Sequence, residues 1–157
     1  MNAPAEISKL GLKDTKLFRQ QCYVDGQWVS ADSGKTLEVT NPATGAVLGV
    51  VPSMGAAETR RAIEAANAAF PAWRAKTGKE RAAILRKWYE LMMANQEDLA
   101  ILMTAEQGKP LTESRGEIVY AASFIEWFGE EAKRIYGDTI PGHQADKRIV
   151  VLKEPIG

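Results

Sequence analysis

At 157 residues, 45% hydrophobic and 25% charged, the chain has ordinary globular composition and length enough for one core or part of a larger one, which excludes a disordered or fibrous protein. Lysine plus arginine and aspartate plus glutamate both number 20, so no net charge draws it to nucleic acid or an anionic membrane. One cysteine, Cys22, and one histidine, His143, exclude a disulfide framework and a Cys/His zinc cage.

Met1 to Lys13 lacks an apolar run of signal-peptide length, Glu6 and the absence of arginine before Arg19 argue against a mitochondrial presequence, and no later run approaches the ~20 apolar residues that span a bilayer. A soluble, cytoplasmic protein is expected. Residues 1–17 mix polar and small side chains without periodicity and are expected to be a loosely held, flexible lead-in. Cys22-Tyr23-Val24 and Gln27-Trp28-Val29 flank Asp25-Gly26, a pair suited to the positive φ angles of a two-residue hairpin turn. Thr36 to Asn41 and Val47 to Val51 predict a second extended pair, joined by Pro42-Ala43-Thr44-Gly45.

From Ala56 the period changes: Ile63, Ala66, Phe70 and Trp73 fall three or four residues apart on one helical face, and Pro71 predicts that the helix ends just before it. Thr77-Gly78-Lys79-Glu80 is a capping box that starts the next helix, with Ile84, Leu85, Trp88, Leu91 and Met92 as its apolar face. Asn95 and Asp98 are candidates to cap the following helix, which carries Leu99, Leu102 and Met103 and stops at Gly108 and Pro110. The longest helix is predicted over Leu111 to Tyr136, with Ile118, Ala122, Ile125, Ala132 and Ile135 inward, Glu130 paired to Arg134, and Gly137 as its stop. Thr139-Ile140-Pro141 and Arg148 to Leu152 then form a last hairpin around a polar turn. Ending directly after a strand, the chain is expected to be truncated.

Candidate chemistry is sparse. Cys22 is the only thiol, but it alternates with Gln20 and Val24 in a strand pattern and reads as a structural filler of a half-buried position. His143 reads as a solvated turn residue, and Glu113, Glu117, Glu126, Glu130 and Glu131 as the solvated face of one helix. Trp73, Trp88 and Trp127 read as core or interface anchors. No strand, G-x-G-x-x-G and helix succession is present to bind a pyrophosphate. From the residues alone the chain is a soluble α/β fragment.

Particular strings carry more. Leu17-Phe18-Arg19-Gln20-Gln21 with Val24-Asp25-Gly26-Gln27-Trp28-Val29, then Val39-Thr40-Asn41-Pro42-Ala43-Thr44-Gly45, then Glu106-Gln107-Gly108-Lys109-Pro110, resemble in order and spacing the start of the aldehyde dehydrogenase superfamily. Ser123 to Phe128 and Ile135 to Gly142 resemble its succinate-semialdehyde dehydrogenase branch, with the glutarate-semialdehyde enzymes as near neighbours. The resemblance covers about Leu10 to Gly157 and implies the N-terminal portion of the aldehyde dehydrogenase fold: β-hairpins, a helical segment, a long helix and an oligomerisation hairpin. It divides the chain into the lead-in 1–17, the N-terminal part of a cofactor-binding domain over 18–136, and a β-hairpin arm over 137–157.

In that family a cysteine thiolate attacks the aldehyde, a hydride passes to NADP or NAD, and a glutamate activates the water that releases the acid. The resemblance places all of these residues, the cofactor contacts and the arginines for a distal carboxylate beyond Gly157, so this chain alone is expected to be inactive, while the full-length protein oxidises succinate semialdehyde to succinate in 4-aminobutyrate degradation. Three lesser roles map across. Glu117, Tyr120 and Ala121 match the border of the substrate tunnel, with plain packing as the other reading. The Val39 carbonyl and Glu106 carboxylate match a structural Na+ or K+ site. Arg148, Ile149, Val150, Val151 and Leu152 match a strand that pairs with another subunit of a homo-oligomer, a dimer or tetramer. A non-catalytic assembly or binding module made of these residues alone is the competing class.

Overall fold

The structure, a computed structural model, describes residues 5–156; residues 1–4 of the expected lead-in and Gly157 lie outside them. Three hairpins and a helical layer alternate along the chain. After a short helix α1 (Ala5–Ser8) and a 3-10 turn at Thr15–Leu17, β1 (Cys22–Val24) and β2 (Gln27–Val29) form the first antiparallel pair. Asp25 and Gly26 take φ of 49° and 76°, the left-handed values of a two-residue turn. Across this hairpin Tyr23 faces Trp28, ring centroids 5.1 Å apart, and the Arg19 guanidinium lies 4.7 Å from the Trp28 ring.

β3 (Thr36–Thr40) pairs with β4 (Val47–Pro52), and the register slips so that Val39 faces Gly49 while Thr40 faces Val47. Leu48, left over at this bulge, is turned inward and is 2% exposed. It meets Ile7, Leu102 and Ala105, with Leu10, Leu12, Leu17 and Phe18 packed around them. The segment expected to be a loose lead-in is therefore packed from Ile7 onwards, because its scattered leucines serve a core that no local period reveals.

α2 (Ala56–Arg74) runs straight through Pro71, where a stop was expected. Only one amide donor is lost there, the carbonyl it would have served belongs to exposed Asn67, and the Pro71 carbonyl still accepts from Ala75. The face expected to be buried is not: Ile63 and Trp73 are exposed, and no residue of α2 is fully buried.

α3 (Gly78–Ala94) starts at the predicted box, Glu80 N–H donating to Thr77 Oγ1 at 3.3 Å and Thr77 N–H to Glu80 Oε2 at 2.8 Å. Ile84, Trp88 and Leu91 are exposed, and Ala82 is the residue of α3 that is buried. α4 (Gln96–Gln107) ends at Gly108 in the left-handed conformation, φ 79°. Asn95 and Asp98 do not cap it as expected: the Asn95 amide donates back to the Leu91 carbonyl and Asp98 bonds the lead-in.

α5 (Leu111–Glu131) stops five residues short of the expected end, and Arg134 pairs with Glu131 rather than Glu130. Its buried face is Ser114, Ile118, Ala122 and Gly129, and both α3 and α4 lie on it. Ser114 and Thr104 share a hydroxyl hydrogen bond of 2.9 Å, and a Cβ on Gly129 would stand 3.3 Å from Leu85 Cβ. β5 (Asp138–Pro141) and β6 (Arg148–Val151) close the described chain, one residue shorter at its end than the predicted strand.

The α3–α5 seam sets a stability test. Gly129→Ala is expected to be near neutral, the ~1 kcal/mol helix-propensity gain offsetting a tight Cβ contact, whereas Gly129→Val should cost about 1–3 kcal/mol by forcing Leu85 away. Urea unfolding followed by circular dichroism reads both; equal stability of the valine variant and wild type would contradict the seam.

Candidate functional site

The residues to which the resemblance assigned roles fall in three places. Glu117, Tyr120 and Ala121 are exposed on α5, Tyr120 on the side away from its buried face and Glu117 and Ala121 beside that face. Glu117 accepts an ion pair from Lys109 at 2.5 Å, which ties the start of the helix to the loop after α4. Tyr120 meets Phe124 edge to face at 4.9 Å, and Phe124, Trp127 and Phe128 extend the same exposed apolar stripe.

Val39 and Glu106 sit on different elements, the bulged end of β3 and the last turn of α4. The turn after β3 abuts the end of α4: a Cβ on Gly108 would stand 2.9 Å from Pro42 Cγ. Glu106 is exposed as a residue, yet enough protein crowds its carboxyl for desolvation to raise its pKa above the ordinary carboxylate value. Among the described residues, no group of three or more His, Cys, Asp or Glu converges to hold a metal.

The arm residues are the most open. Every residue of β5 and β6 is exposed, Val150 at 66%, and Leu152 just after β6 is 77% exposed. Apolar side chains therefore stand uncovered on a free two-stranded ribbon.

Cys22 is half-buried in β1. It lines a cleft of about 580 Å³ between the first hairpin and α2, together with Met54, Glu58, Arg61 and Ala62. Of the charged side chains there, Asp32, Glu58 and Arg61 are engaged. Arg61 pairs with Asp32 at 2.7 Å, and Glu58 accepts from the amides of Gly55 and Asp32, each at 3.0 Å. Hydrogen bonds from its own backbone amide, then those of Asp32 and Gly55, hold the Glu58 carboxyl below its ordinary pKa. His143 is exposed in the β5–β6 turn.

A nicotinamide dinucleotide does not fit what is described. Each of the three sheets is a two-stranded antiparallel ribbon rather than a parallel sheet with a switch point. The turn from β4 into α2 is the strand-to-helix junction best placed for a pyrophosphate, and its Gly55 amide is occupied by the Glu58 carboxylate. No step of hydride transfer is therefore assigned to these residues.

The sequence alone did not disclose the bidentate pair of Arg115 with Glu97, both bonds 2.7 Å, nor the bonds from Lys13 and Asp14 to Asp98. The second link spans more than 80 residues, beyond any local signal, while the acidic first turn of α4 was the one visible hint.

Residues 28–157 match the aldehyde dehydrogenase family. Glutarate-semialdehyde dehydrogenase of Pseudomonas aeruginosa is 74% identical over 146 residues, 93% of this chain and 30% of that protein. Succinate-semialdehyde dehydrogenase [NADP(+)] of Escherichia coli is 68% identical, again over 93% of this chain and 30% of its own length. The crystal structure of succinate-semialdehyde dehydrogenase from Burkholderia pseudomallei superposes with a TM-score of 0.91 at 64% identity, covering 94% of this chain and 30% of that one. The chain thus spans about 30% of the length of these relatives.

A thiol without a base or an unpaired cation beside it is a packing group. Cys22→Ser is expected to keep the fold and cost about 1 kcal/mol, as an ordinary half-buried substitution does. Urea titration measures this, and loss of folding or a change of several kcal/mol would refute the packing role.

Proposed function

Because the chain belongs to the aldehyde dehydrogenase family, we propose that it is the N-terminal scaffold and assembly arm of an NADP- or NAD-dependent semialdehyde dehydrogenase acting in the cytoplasm. The observation that carries this reading is the 0.91 superposition on a succinate-semialdehyde dehydrogenase over nearly the whole chain, hairpins and helices alike. The substrate of the full-length protein is succinate semialdehyde, oxidised to succinate. Glutarate semialdehyde is the second reading, favoured by the 74% identity to the Pseudomonas aeruginosa enzyme.

On this reading the chain contributes position rather than chemistry. The exposed side of α5 at Glu117, Tyr120 and Ala121 borders the substrate's path, and the Lys109 pair fixes where the Glu117 carboxylate stands. The Val39 carbonyl and the Glu106 carboxylate supply two oxygen ligands for a structural Na+ or K+, and ionising Glu106 beside a cation would repay the desolvation that raises its pKa. The strand at Arg148, Ile149, Val150, Val151 and Leu152 adds to a sheet edge of another subunit, which would cover its apolar side chains and make the protein a homo-oligomer, dimer or tetramer.

Two measurements on the full-length protein test this. kcat/KM with succinate and glutarate semialdehydes is expected to exceed that for an uncharged aldehyde of equal length by at least ~10-fold, the scale of a lost charged contact; equal rates for all three would exclude a semialdehyde specialist. Val150→Pro removes a ladder donor and inserts a rigid ring, so light scattering should find a folded protein of lower mass. A folded variant of unchanged mass would reject the arm.

A further inference from the structure

The segment that starts with the first helix is fastened at two points remote in sequence. Ile7 is buried against Leu48 of β4 and Leu102 and Ala105 of α4. Further on, the amides of Lys13 and Asp14 donate to the two oxygens of one carboxylate, Asp98, at 3.1 and 2.8 Å. Asp98 is 4% exposed and stands in the first turn of α4, where the helix amides favour negative charge. The bonds from Asp14 and then Lys13 hold its carboxyl below its ordinary pKa, so the group that closes the link is an ionised one.

The segment also reaches β4 directly. Phe18 and Gln20 lie over Gly49 so closely that a Cβ there would stand 2.5 Å from the Phe18 ring, and Gln20 Oε1 accepts from the Val50 amide at 2.9 Å. The cluster it completes belongs to β4 and α4, whereas α3 and α5 meet through a separate seam at Leu85 and Gly129.

We propose that residues Ile7–Phe18 form a strap, latched to α4 by Asp98, that opens as one unit ahead of the α3–α5 layer and loosens the β3–β4 hairpin when it does. Two features make the opening all-or-none over the strap. Its apolar residues share one cluster, so none leaves without exposing the others. Its two amides share one buried carboxylate, so releasing one bond leaves a buried charge half-satisfied and favours releasing both. The α3–α5 seam at Leu85 and Gly129 shares no residue with the cluster that the strap completes.

Hydrogen exchange on the full-length protein tests this. Leu10, Lys13, Asp14, Lys16, Leu17 and Phe18 each donate a backbone hydrogen bond within the strap or to Asp98 and so report its closure. In Asp98→Asn, which keeps the shape but removes the charge and one acceptor oxygen, their protection should fall together by at least about tenfold while amides of α3 and α5 are unchanged. Unchanged strap protection, or a uniform loss reaching α3 and α5, would overturn the proposal. If the variant does not fold, the wild-type protein in rising sub-denaturing urea decides: the strap amides should share an opening distinct from and easier than that of α3–α5, and exchange of both only through one common unfolding would refute it.

Discussion

The buried face of α5 has to be small. Ser114, Ala122 and Gly129 leave room for α3 and α4 to approach, with Ser114 against Thr104 and Gly129 against Leu85, and Ile118 is the one large side chain fully buried on that face. Gly78 repeats the constraint about one turn further along the same end of the seam, where a Cβ would stand 2.5 Å from the Ala132 carbonyl oxygen. Because the inward face admits so little bulk, the aromatics of the helix, Tyr120, Phe124, Trp127 and Phe128, are all displayed on the exposed side. Tyr120, proposed to border a substrate path, thus stands exposed as the consequence of a packing rule on the buried face.

The hairpins join this layer through backbone irregularities. The bulge that leaves Leu48 without a strand partner turns it into the cluster with Leu102, and the turn at Pro42 meets the left-handed end of α4 at Gly108. The first junction sets β4 against α4, and the second sets the turn after β3, the strand of Val39, against the end of α4, the helix of Glu106. At the β4–α2 junction the opposite has happened. A carboxylate from the first turn of α2 occupies the Gly55 amide, so that donor serves the junction's own structure.

Local chemistry was legible and long-range chemistry was not. Asp25-Gly26, the Thr77–Glu80 box and Gly108 each act within four residues, and each stands as its residue types dictate. The stop at Pro71 failed because one lost donor near a solvated carbonyl is a small cost beside the rest of a 19-residue helix. The apolar faces of α2 and α3 were read too broadly because periodicity finds a stripe without saying what covers it: Ile63, Trp73, Trp88 and Leu91 are exposed, Phe70, Leu85 and Met92 are half-buried, and only Ala82 of the two helices is buried. Asp98 carried an N-terminal signal that the fold spends on Lys13 and Asp14 instead. The strings that resembled a dehydrogenase family led to the right family, yet the side chains they contain are mostly turn and cap residues rather than reacting groups.

The central claim is that this chain supplies position and assembly to a catalytic centre built from other residues. It is tested most directly by expressing the chain, the remainder of the full-length protein, and the two together, and assaying semialdehyde-dependent reduction of NADP and NAD. The account predicts that turnover returns only when both pieces are present. Full activity of the remainder by itself, or turnover by the chain by itself, would contradict it.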